Sequence, residues 1–345
     1  MLLYTMSNTM NTSSRIGWID TLKGIGILTV VAGHIFPNSV ARYLFLFHMP
    51  LFFFIGGFLF KPSADWKEYL TKKSFHLLVP YVAFLCLIYV PYEIREILTG
   101  KETIVKGLVR PLLGGRFLIG WTAVFWYVTC FFLVQQVMNF LVNKVSKRVV
   151  GLLMFASLVI SYALNRFMPH FPGLPWNADV VFAALPIFHM GYQYKAMQGE
   201  PGRYKWVFFT LLPVVIVFTY YNTANTYDMK TGSYGIPFVT LFSSLVVVLC
   251  LIELVKLIAR SPAASKPFNE LGTASMVIMY LHQPVQFIAL EQFSIVNPLA
   301  RFFIALAVSM GGYYLLNSFT IGRALFMGSL PDFKKVFRRE KLATV

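Results

Sequence analysis

Three features of this sequence predict an all-α, polytopic membrane fold. Hydrophobic residues make up 57% of the 345 and charged residues only 13%, where a soluble domain averages about 25% charged. Apolar runs of about 20 residues, enough for a helix to cross a bilayer, recur along the whole length. Lysine and arginine gather mainly at every second gap between those runs, as the positive-inside rule requires. About ten spans are expected, near 17–36, 42–60, 75–93, 121–142, 149–166, 178–195, 205–222, 236–258, 271–290 and 300–318.

Residues 1–15 form a polar tail without the basic and apolar regions of a cleavable signal, so the first span serves as an uncleaved insertion signal. Residues 16–319 form one transmembrane domain. The first two spans are joined by a turn around Pro37-Asn38, and a polar loop, Lys61 to Ser74, follows. The segment from Ile94 to Gly120 carries mixed charge and either lies in the interface or caps the bundle. The tail, 320–345, is basic through Arg323, Lys334, Lys335, Arg338, Arg339 and Lys341.

With the N-terminus in the cytoplasm, 20 of the 30 Lys and Arg fall on the inner side and nine outside, five of these between Ile94 and Gly120. Both termini are therefore expected in the cytoplasm, which fits an even number of spans. The net charge of +16 then belongs to cytoplasmic loops facing a bilayer, and no nucleic-acid partner is expected. Cys86, Cys130 and Cys250 lie far apart in apolar runs and read as small buried hydrophobes. Gly24, Gly26, Gly56 and Gly57 suit close helix packing. No internal repeat, phosphate-binding glycine loop or G-x-S-x-G elbow is present.

Ionisable side chains within spans are costly, so each is a functional candidate. Asp20 and Lys23 share one helix face. His34 lies 14 residues beyond Asp20, almost on the same stripe and about 21 Å further along. The expected topology sets Asp20 near the cytoplasm and His34 near the outer side. One helix stripe thus carries polar groups at both membrane faces, as access from both sides would need. The plainer alternative is an ion pair at the helix entrance and a histidine reaching for the interface.

A neutral imidazole suits activation of a hydroxyl as general base, or acceptance of an acyl group as nucleophile. His48 and His282 also fall in the outer half, where polar helix–helix contacts are the alternative role. The three histidines come from separate helices, with no H-x-x-x-H pair and no carboxylate nearby, so no metal site is expected. Trp126 and Tyr127 open a span and read as belt aromatics. His189 reads as a core histidine, and Glu253 with Lys256 as a paired charge. Arg110 and Arg116 are outer groups that would meet an anion. A transporter using intramembrane Asp, Lys and His is the competing function, although paired broken helices are absent.

D-x-x-K-G at Asp20 to Gly24, the Gly33-His34 pair and H-M-P-L-F-F-F-x-G-G-F-L-F from His48 to Phe60 together resemble the membrane acyltransferase-3 family. Trp126-Tyr127, and Leu271-Gly272-x-x-Ser275 followed by Tyr280-Leu281-His282, extend the resemblance over most of the chain. It implies an O-acyltransferase of the cytoplasmic membrane, taking an acyl group, most simply acetyl, from acyl-CoA as donor substrate with no bound cofactor. The acceptor would be a sugar hydroxyl of an envelope polysaccharide or a glycolipid precursor. The resemblance marks His34 as the catalytic histidine, with Asp20 shaping the inner end of its path. Lys23, Lys73 and His76 would hold the donor, and His48, Trp126 and His282 would line the acceptor cavity. Where the family often has arginine-x-x-arginine, this chain has Lys73-Ser-Phe-His76, a weaker grip on phosphates than paired guanidinium forks. There is no soluble hydrolase-like domain within it, so the chain would complete the transfer alone or hand the acyl group to a glycan-assembly partner.

Overall fold

The computed structural model describes residues 17–168, 170–197 and 205–337. The expected 1–15 tail, and Arg338, Arg339 and Lys341, lie outside the described residues. Every regular element is a helix, and the only strand-like pairing among the described residues is an isolated bridge between Asp228 and Ser233. The helices are α1 (Gly17–Ile35), α2 (Asn38–Phe45), α3 (His48–Leu59), α4 (Trp66–Leu98), α5 (Ile104–Leu113), α6 (Trp126–Lys144) and α7 (Lys147–Phe167). They continue as α8 (Val181–Ala196), α9 (Lys205–Tyr221), α10 (Val239–Ile258), α11 (Pro262–Glu291), α12 (Pro298–Ser318), α13 (Thr320–Phe326) and α14 (Leu330–Phe337).

Each expected apolar run is helical, and among the described residues seven helical stretches are long and apolar enough to cross a membrane. The other three runs fall short for different reasons. α8 has 16 residues and α9 has 17, below the roughly 20 that span a hydrocarbon core. α11 has 30 residues, but polar groups at both ends, Lys266 to Glu270 and His282 to Gln286, dilute its hydropathy. Large apolar side chains such as Leu152, Phe155, Phe303 and Leu315 are exposed on the outer helices. Apolar exposure on that scale fits lipid rather than water.

Two tight crossings organise the interior. α1 packs along α11, and α3 along α8. At the first crossing, a methyl group on Gly24 would overlap the carbonyl oxygen of Phe268, and one on Gly272 would overlap that of Asp20. At the second, Gly57 meets the carbonyl of Phe188 and Gly191 that of Phe54. Backbones this close gain dispersion contacts that lipid-exposed helices cannot obtain from hydrophobic transfer.

Two expectations are corrected. The second span is not one helix: it breaks at Phe47 (φ −134°, ψ −18°), and His48 opens α3 instead of lying two turns inside a helix. Pro50 explains the break. It has no N–H for the carbonyl of Leu46, and in the first turn of a helix that donor is not needed. The polar loop after α3 is also shorter than expected. α4 starts at Trp66, where the Asp65 side chain accepts from the Glu68 N–H at 3.0 Å, an N-cap.

Within α4, Ser74–Leu78 and Leu85–Tyr89 are π-helical. Each is followed by Val-Pro, at Val79-Pro80 and Val90-Pro91. The prolines cannot donate to the carbonyls of His76 and Leu87, and the widened turn absorbs the mismatch. Of the cysteines, Cys130 and Cys250 are buried, but Cys86, between the two prolines, is exposed.

Candidate active site

A cavity of about 400 Å³ lies between α1, α3, α6 and α11. From α1 it is lined by Lys23, Ile27, Val30 and His34, at helical spacings of 4, 3 and 4. The antiparallel face of α3 supplies His48, Phe52, Ile55 and Leu59. Lys23 and His34 therefore mark opposite stretches of one wall, about 16 Å apart along the helix axis. Trp126 and Tyr127 from α6, Leu77 from the first π turn and Ser275 from α11 complete the sides. Most of this wall is apolar, with few polar groups, as ligand pockets commonly are.

Three histidines converge at one end. The His34 ring lies 6.2 Å from that of His48 and 5.3 Å from that of His282, centroid to centroid. Phe45 packs against both His34 and His48. Each imidazole is fixed in the same way. Nδ1 of His34 bonds the Val30 carbonyl at 2.8 Å, Nδ1 of His48 that of Leu44 at 2.7 Å, and Nδ1 of His282 that of Ile278 at 2.9 Å. A carbonyl only accepts, so Nδ1 carries the hydrogen in all three. Neutral imidazole then presents Nε2 as a lone pair, free to take a proton. On the wholly buried His282, Nε2 has no hydrogen-bond partner. Among the described residues, no group of three or more His, Cys, Asp and Glu is placed to hold a metal ion.

At the opposite end, Lys23 pairs with Asp20 at 2.6 Å, and both are largely but not wholly buried. Asp20 is not on the cavity wall. Lys73 and His76 are also off it. The Lys73 ammonium sits 5.4 Å from the centre of the Tyr69 ring, and exposed His76 packs against the backbone at Gly328. The π turn carries Leu77 onto the wall and leaves His76 outside. Lys23, His34, His48 and Trp126 thus share one cavity, with His282 beside His34.

Other polar groups singled out from sequence find local partners. Glu253 and Lys256 pair at 2.6 Å, and Lys256 also donates to the Tyr194 hydroxyl at 3.0 Å. His189 is half-buried and bonds Gln193 at 3.0 Å, so it is not enclosed in the core. Arg110 pairs with Glu102, and Arg116 with Asp179. Neither guanidinium is left to meet an outside anion as its main partner.

Sequence reading does not single out the connection between α9 and α10, yet Tyr227, Asp228, Met229 and Lys230 from it close the histidine end of the cavity. A signal was present in its length: residues 222 to 238 make a 17-residue link, and structured loops of that size are usually functional. The loop is pinned from several sides. Asn177 donates to the carbonyl of Lys230 at 3.0 Å, Asn165 to that of Gly232 at 2.7 Å and Arg116 to that of Thr231 at 3.4 Å.

Arg116 is itself held by Asp179, whose other oxygen accepts from the Leu174 N–H at 2.9 Å. Trp176 and Asn177 adopt φ of 62° and 54°, a conformation that costs Trp more than Asn. Breaking a buried ion pair by removing one partner costs about 3–5 kcal/mol. Asp179→Ala should therefore loosen this cap. Limited proteolysis in detergent is expected to cut between 222 and 238 in the variant under conditions in which wild type resists.

A family model described as an acyltransferase domain matches residues 16–318. The chain belongs to the acyltransferase-3 family. The match runs from the start of α1 to the end of α12 and so includes every wall of this acyltransferase's cavity. No curated protein and no solved structure matched the chain in the same comparisons.

Proposed function

We propose that this acyltransferase moves an acetyl group from cytoplasmic acetyl-CoA to a hydroxyl of an envelope polysaccharide or its lipid-linked precursor. The observation that carries the reading is His34: its Nδ1–H is held by the Val30 carbonyl, and its ring lines a cavity whose other stretch is lined by Lys23 on the same helix. In this reading the chain crosses the cytoplasmic membrane about ten times with both termini inside, so the Lys23 end faces the cytoplasm and the histidine end the outside. The thin pantetheine arm of the donor enters past Lys23, with Lys73 and His76 near its phosphates and Asp20 steadying Lys23. The acceptor approaches His48, Trp126 and His282.

The chemistry balances without a cofactor. His34 Nε2 takes the proton of the acceptor hydroxyl as its oxygen attacks the thioester carbonyl carbon. The carbonyl π pair moves onto oxygen. The tetrahedral species then collapses, the C–S bond breaks, and the thiolate leaves with the proton from the imidazolium as free CoA. Membership of an acyltransferase family supports this reading over the transporter alternative.

The test has two parts. Purified protein in detergent, given acetyl-CoA, is expected to release CoA detectable by a thiol reagent. Envelope polysaccharide from expressing cells is expected to gain the mass of one acetyl group over empty-vector cells. Neither change in a host that makes the polysaccharide would refute the proposal.

A further inference from the structure

Acyl transfer develops negative charge on the thioester oxygen, and a transferase places a donor there. The cavity wall offers few. Lys23 lies about 16 Å from His34 along α1 and is neutralised by Asp20. Among the lining residues of the histidine end, the only cation is Lys230.

Its ammonium donates once, to the Leu118 carbonyl at 3.2 Å, and a lysine has three donors. Among the described residues no carboxylate lies within ion-pair distance of it. Its backbone is fixed by Asn177, its loop by Arg116 and Asn165. Gly115 serves the same end, since a side chain there would overlap the Asn177 amide. This is a preorganised cation on a mostly apolar wall that also carries the histidines and, on its own loop, Asp228.

We propose that Lys230 is a catalytic residue of this acyltransferase, its ammonium holding the acyl carbonyl oxygen as it becomes an oxyanion. The assignment rests on the transferase reading above. In the step, His34 removes the hydroxyl proton, the new C–O bond forms, and the carbonyl electron pair settles on the oxygen facing Lys230. No proton leaves Lys230, and the pair returns when the C–S bond breaks. Burial pushes the pKa of Lys230 down to about 8, which leaves it mostly charged at neutral pH. The charged and titratable groups around it are Asp228 and Tyr227 on its own loop, Arg116 from the turn after α5, and His34 of α1.

The experiment compares wild type, Lys230→Met and Lys230→Arg, each purified in detergent and matched by elution profile and melting temperature. CoA release from acetyl-CoA is followed with water as acceptor and with the host polysaccharide. Lys230→Met should lower kcat about 10²–10³-fold with both acceptors, the cost of removing one oxyanion donor, with little change in KM. Lys230→Arg should keep most of the rate. Wild type should lose rate above about pH 8 as Lys230 deprotonates, and Lys230→Arg should abolish that fall, because a guanidinium stays charged there.

Wild-type hydrolysis by Lys230→Met, or a defect confined to KM for the polysaccharide, would overturn the assignment and make Lys230 at most an acceptor contact. Absence of CoA release from wild type itself would overturn the transferase reading and the role of Lys230 together. The two failures are therefore told apart by the wild-type trace.

Discussion

His34→Ala is expected to abolish acyl transfer, lowering kcat for CoA release by about 10²–10⁴-fold, the usual worth of a general base. The size of the effect follows from the way the ring is held. Its Nδ1–H is committed to the Val30 carbonyl at 2.8 Å, so the proton-accepting nitrogen is always Nε2, and no side chain on the wall stands in for it at the same place. His48→Ala and His282→Ala should cost less. Their rings pack against His34 and steady it, so their loss disturbs geometry rather than removing the base. All three variants should elute and melt close to wild type, since α1 is anchored by its glycine crossing with α11 and not by the histidines. Rates from purified protein, normalised to folded material, check this. A His34→Ala enzyme retaining more than a tenth of the rate would move the base to one of the neighbouring imidazoles.

The fold was largely legible because the length of an apolar run is a local property. Each run that reads as a span is a helix, and the ionisable groups Asp20, Lys23 and His34 stand out against hydrocarbon on one stripe. What local hydropathy cannot resolve is where a long apolar run changes geometry. The break before His48 was encoded by Pro50, and the start of α4 by Asp65 and Glu68, a capping pattern that a window average hides. The π turns of α4 depend on how Pro80 and Pro91 are accommodated by the surrounding helices. Lys230 was invisible for a different reason: a polar loop between spans counts only as charge on one side until the fold shows it turning inward.

Arg116 illustrates the same limit, because its carboxylate partner, Asp179, is 63 residues away and reaches it through tertiary packing alone. On sequence grounds the long third connection, from Ile94 to Gly120, either lies in the interface or caps the bundle. Its last turn, Gly115–Phe117, carries the arginine that braces the loop closing the cavity.

Gly57→Ala should be among the most damaging single-methyl changes in this protein. A methyl there would overlap the carbonyl oxygen of Phe188, a backbone atom that no rotamer change can move. The reciprocal contact, Gly191 against the Phe54 carbonyl, lies on the same α3–α8 crossing, so the helices cannot rock about one point to relieve the other. They must separate, and the separation opens a gap along Phe53, Phe54 and Phe58, all of them buried. Alanine gains about 1 kcal/mol over glycine in a helix interior, whereas overpacking costs about 1–3 kcal/mol and more when backbone must shift. The balance falls on the side of destabilisation.

The neighbouring residue Gly56 lines the cavity, so displacement of α3 should also reduce CoA release from whatever protein survives. Gly151→Ala supplies the control. It is the same substitution in a helix, with no atom within 4 Å of the added methyl, and should leave the melting temperature unchanged or slightly raised. Melting curves of the two variants in one detergent decide the matter: a Gly57→Ala protein as stable as Gly151→Ala would mean that α3 and α8 do not pack backbone to backbone.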